Sequence, residues 1–90
     1  MSTLQLSEIG LKAVAWQRAL EAKRDAQMHL RDACYAYKSR NALGYIGKTE
    51  PHYEAMLEAT KPEYLALEKA KGAERNARTR LERACKKVAT

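Results

Sequence analysis

The sequence predicts an all-α fold: an antiparallel hairpin of two long helices, the second kinked or broken near Pro62, completing a helical bundle by self-association. Three observations predict it. Apolar residues recur at intervals of three and four along most of the chain, which is the helical period and not the alternation of a strand. Alanine supplies 16 of the 90 residues, and along the first half of the chain it recurs at a near-heptad spacing that marks helix contact faces. The four glycines and two prolines fall mainly between residues 44 and 72, leaving little turn chemistry for a β-protein. The expected layout is a single domain over 1–90, with helices at about 8–43, 51–60 and 62–89 and a turn over 44–50.

In the first helix Ser7 is placed to cap, and Glu8 sets a carboxylate in the first turn, where the helix dipole favours it. Ile9, Ala13, Trp16, Leu20, Ala26, Leu30, Ala33, Cys34 and Tyr37 carry the apolar period. No proline interrupts the run before Leu43, and Gly44 reads as a left-handed cap. That helix would be about 36 residues, or ~54 Å long. Alanines at 15, 19, 22, 26, 33 and 36 follow a near-heptad spacing, so a contact seam is expected there.

Thr49 or Glu50 can cap the second helix, with Pro51 tolerated in its first turn. Thr60-Lys61-Pro62-Glu63 fits two readings, a capping box that restarts a helix or a proline kink in a continuous one. Beyond it the expected inward series is Leu67, Ala70, Ala73, Ala77, Leu81, Ala84, Cys85 and Val88. A short connection makes the two long helices antiparallel neighbours. The expected register sets Cys34 opposite the neighbourhood of Lys71, ~21 Å from Cys85 at 1.5 Å per residue. The cysteines are therefore expected to be free thiols, each acting as a small hydrophobe. Two alanine-rich helices bury little area alone, so a homodimer or higher assembly is expected.

The 17 Lys and Arg against 11 Asp and Glu give a net charge of +6, which favours a polyanionic or acidic partner. No stretch reaches the ~20 apolar residues of a membrane span, so no membrane partner is expected. The first residues lack a signal peptide's basic start and apolar run, and a cytoplasmic location is expected.

Four sets of residues compete for a functional role. The segment Gly44-Tyr45-Ile46-Gly47-Lys48-Thr49 holds most of a phosphate-cradling loop, but such a loop follows a strand, and here a helix precedes it. A G-x-x-G clamp on a nucleic-acid backbone does sit between helices, yet its fold also needs a sheet. The stretch therefore reads mainly as a turn, with Gly47, Lys48 and Thr49 as a minor anion site. Arg24, Met28, Arg31, Tyr35 and Lys38 are spaced 4, 3, 4 and 3, so they line one ridge beside the core stripe. Tyr, Met and Arg are enriched at protein interfaces, and the ridge reads equally as a partner-binding surface or as packing against residues 51–60 or a second subunit. Lys71, Arg75, Arg78, Arg83, Lys86 and Lys87 offer a polyanion surface, although the cations of this helix flank its core face on both sides. For catalysis, His29 and His52 stand alone, and Glu54 with Glu58 lacks a histidine to make a metal site.

The expected function follows: a non-catalytic regulator, inhibitor or adaptor without cofactor or metal, of the kind mobile elements carry, that binds a larger protein or nucleoprotein assembly. Two alternatives stay open. One is nonspecific nucleic-acid binding through the basic last helix. The other is binding of an anionic nucleotide-like ligand at the Gly44–Thr49 turn.

Overall fold

The computed structural model describes residues 2–41 and 51–89. Apart from Ser2, Asn41 and Thr60, every described residue is helical, and no strand occurs among them. Helix α1 spans Thr3–Arg40, α2 Pro51–Ala59 and α3 Lys61–Ala89. The Gly44–Thr49 turn and the Gly44 cap lie outside the described residues.

Helix α1 begins before the expected Ser7. Ser2 caps it instead, its hydroxyl accepting from the Gln5 amide at 3.1 Å while the Gln5 side chain accepts from the Ser2 amide at 2.9 Å. This reciprocal pair satisfies two amides that a helix start leaves open. Ser7 becomes an interior residue. At the other end α1 stops at Arg40, short of the expected Leu43. Both the backbone amide and the side-chain amide of Asn41 donate to the Tyr37 carbonyl, at 3.2 and 2.9 Å, and close the last turn.

Between α2 and α3 the backbone ladder runs on: the Thr60 amide donates to Met56 and the Tyr64 amide to Thr60. The Thr60 hydroxyl also donates to the Met56 carbonyl, at 2.8 Å. The capping-box reading fails here, because that hydroxyl is spent backwards on Met56 and does not face the Glu63 amide. What remains is one helical path with a single non-helical residue before Pro62, whose ring has no amide to donate.

The hairpin is antiparallel. Lys23 Nζ meets Glu74 Oε1 at 3.3 Å, and Lys87 lies near enough to Glu8 to act on its charge. In this register an inward series of half-buried residues on α1, Ile9, Lys12, Trp16, Ala19, Lys23, Ala26, Leu30, Ala33 and Tyr37, alternates steps of three and four. So do the buried and half-buried residues Thr60, Glu63, Leu67, Ala70, Glu74, Ala77, Leu81, Ala84 and Val88 opposite them. This is the spacing of a two-stranded coiled coil. Trp16 comes level with Leu81 and Leu30 with Leu67. Between such bulky layers Ala19 comes level with Ala77 and Ala26 with Ala70, where small side chains let the backbones approach.

Three expectations are corrected by this seam. Ala15, Ala22 and Ala36 are exposed on a flank, and only Ala19, Ala26 and Ala33 turn inward. Ala73 and Cys85 are exposed, while the charged Glu74 is buried in the series where apolarity alone pointed to Ala73. Cys34 comes level with Glu63 and not with Lys71, which sets Cys34 and Cys85 roughly 33 Å apart along the rod. Both are free thiols.

The result is a rod with extents of 60 × 19 × 17 Å. Its core is thin: among the described residues Met56, Leu67, Ala77 and Ala84 are the buried apolar ones.

Candidate functional site

The seam divides the rod's surface, and the division decides which residues can act together. Arg24 and Arg31 lie on one side of α1, with Met28 and Tyr35 two turns apart on its outermost line. Arg24, Gln27, Met28 and Arg31 line one shallow hollow. Met28 is 50% exposed and Tyr35 is 74% exposed. The structure therefore brings four of the five ridge residues to one open face. Lys38, the fifth, is half-buried at the turn end of the helix. An aromatic ring held on a rigid helix, here with one guanidinium (Arg31) a turn away, has little freedom to lose on contact.

The basic residues of α3 do not form one surface. Lys71, Arg75 and Arg78 gather on one side of the seam around Lys23 and Glu74. There Arg78 Nε stands 4.0 Å from Glu74 Oε2, and Lys71 Nζ lies 3.5 Å from Glu68. Much of that cationic charge answers carboxylates of the chain itself. Arg83 and Lys87 lie across the seam with Arg80, Lys12 and Glu8. Lys12 donates to Glu8 at 2.8 Å, and its hydrogen bond and charge, with help from Lys87, hold the Glu8 carboxyl below its ordinary pKa against a small opposing effect of burial. Lys86 is exposed. The expected six-cation polyanion site is thus split between two faces.

Gly47, Lys48 and Thr49, the expected anion site, lie outside the described residues. Among the described residues no cluster of His, Cys, Asp and Glu could hold a metal ion, and no helix is long and apolar enough to cross a membrane. His29 and His52 are both exposed.

Two features escaped the sequence reading. The first is the Lys23–Glu74 pair within the seam, whose signal was its place in two heptad series that otherwise carry apolar or small residues at most steps. The second is a shallow hollow bounded by Tyr53, Leu57, Lys61 and Tyr64 near the turn end, with Leu57 and Tyr64 exposed. Their spacing of four and seven along the kinked helix was visible in the sequence.

Compared with family models, curated proteins and solved structures, the chain matches none.

Proposed function

We propose that this protein is a non-catalytic helical adaptor or inhibitor that docks on a larger protein or nucleoprotein through Arg24, Met28, Arg31 and Tyr35. The observation that carries the reading is the exposure of Tyr35, 74%, on a helix whose inward face is already committed to the seam. A large aromatic side chain in that position contributes nothing to the hairpin's core. Arg31, one turn away, and Arg24, further along the same ridge beside Met28, supply charge-assisted hydrogen bonds to an acidic or polar rim.

Self-association belongs to the same reading. The chain exposes 6933 Å², where an ordinary folded monomer of 10.2 kDa exposes about 5300 Å². The excess exceeds the ~800 Å² that one partner hides in a standard interface. A thin rod of this kind gains stability by covering a second face.

Salt separates protein docking from nucleic-acid binding. Tagged protein is used to capture partners from a nuclease-treated lysate of the native host at low and moderate salt. Docking through the ridge gives a captured protein that persists through both treatments. Capture that disappears with nuclease, or collapses steeply as salt rises, would put the basic surface of α3 in charge instead.

A further inference from the structure

We infer that the second copy packs face to face and antiparallel on the flank that carries Ala22 and Ala73, with the two-fold axis passing near that pair. The inference rests on the self-association proposed above and names its surface and geometry.

This flank differs from the rest of the rod. Glu8, Lys12, Arg80, Arg83 and Lys87 gather on it, and by the seam register Ala22 and Ala73, like His29 and Ala66, lie within about two residues of level. Ala15, Ala22, Ala66 and Ala73 are all exposed there, in the middle of the rod. Helices lined by alanine can approach a neighbour closely, so this is the flank where another pair of helices can pack with least obstruction.

The charges at its two ends are opposite. Toward the turn, a hollow holds Asp25, His29 and Glu63, and the Oε2 atom of Glu63 is buried without a hydrogen-bond partner. Toward the open end, a second hollow holds Arg80, Arg83 and Lys87. Arg18, Asp25 and Arg83 have no ion-pair partner among the described residues. A two-fold axis along the rod would stack turn end on turn end and set carboxylate against carboxylate. An axis across the rod reverses one copy and sets each end on its opposite.

Centred near Ala22 and Ala73, that arrangement brings Arg18 of each copy within about two residues of level with Asp25 of the other. It also brings Arg83 level with Glu63 of the other copy. One axis position brings both pairings within about 3 Å of level, which long side chains can span, although they lie on different helices. The rim charges set orientation, and the alanine face supplies the contact area. Arg24, Met28, Arg31 and Tyr35 lie away from this flank, so the dimer carries two open ridges.

Sedimentation equilibrium on the full chain, with circular dichroism to confirm folding, tests the inference. The wild type is expected to be a dimer at ~100 µM. The variant Ala22→Arg with Ala73→Arg is expected to keep its helix content and to dimerise at least 30-fold more weakly. Arg18→Asp and Asp25→Arg are each expected to weaken dimerisation about tenfold when alone. Mixing those two variants is expected to restore a heterodimer of near wild-type affinity, because both cross-pairs then become opposite in charge. A wild type that stays monomeric would remove the self-association reading and this dimer together. A dimer indifferent to the alanine variants, or single-charge variants not rescued by mixing, would overturn this face while leaving self-association standing.

Discussion

Lys23 and Glu74 meet across the middle of the seam, Nζ to Oε1 at 3.3 Å, with Glu74 only 5% exposed. The two ends of this pair are unequal. The Lys23 side chain keeps 27% of its surface and can carry its charge toward water along an apolar stem, whereas the Glu74 carboxylate cannot. Its Oε2 atom has no hydrogen bond, with Arg78 Nε 4.0 Å away. A charged pair within a coiled-coil seam fixes register at some cost in stability.

Removing the lysine should therefore cost more than removing the glutamate. Lys23→Leu strands a buried carboxylate and is expected to destabilise by about 3 kcal/mol. Glu74→Leu frees a lysine that can reach solvent and is expected to cost about 1 kcal/mol or less. The double variant should be near neutral or more stable than the wild type. Urea unfolding of the four proteins at matched concentration checks the order. Equal costs for the two single variants would mean that the pair is not effectively buried.

The native cysteines measure the register. Spin labels on Cys34 and Cys85, diluted with unlabelled chain, should give one distance centred on ~33 Å, set by the level pairing of Cys34 with Glu63. A distance near 20 Å would indicate the shifted register in which Cys34 faces Lys71. Mass spectrometry of the native protein should show both thiols free, as both are in the structure.

Glu8 gives the chain a small acid-side sensitivity. Its folded pKa lies below the ordinary value because Lys12 donates to it and adds its charge, with Lys87 assisting. The stability it contributes is present above the ordinary carboxylate pKa and is lost as pH falls through the lowered one. Glu8→Gln should thus lower the melting temperature slightly at pH 7 in low salt and not at pH 3. Since the group is on the surface, moderate salt should erase the difference. A Glu8→Gln effect that persists at pH 3 would assign the role to packing.

Helix type and the existence of a hairpin were legible because the apolar period runs almost unbroken from Ile9 to Val88. The seam's composition was not. Counting apolar residues favoured Ala73 over Glu74, because a charged residue enters a seam only when a specific partner comes level with it. That partner, Lys23, is distant in sequence and is identified only by the register. The alanines misled in the opposite direction: alanine suits buried and exposed helix positions alike, so Ala15 and Ala22 looked like seam although they lie on a flank. The start of α1 was displaced because Ser7 and Ser2 are both competent caps, and only Ser2 has a glutamine three residues on to complete the reciprocal pair. The ridge was legible as a line of residues, since spacing alone sets which side chains share a helix face.

On the proposed function the outer ridge of α1 binds a partner and does not hold the fold. The most direct test is the affinity of Tyr35→Ala for the captured protein, measured beside the wild type. Truncating an exposed side chain should change stability by no more than about 0.5 kcal/mol. Loss of an interface anchor should cost about 2 kcal/mol or more of binding, roughly a 30-fold loss of affinity. Unchanged affinity in a fully folded Tyr35→Ala protein would contradict the claim, and the search for the docking surface would move to the Tyr53, Leu57 and Tyr64 hollow.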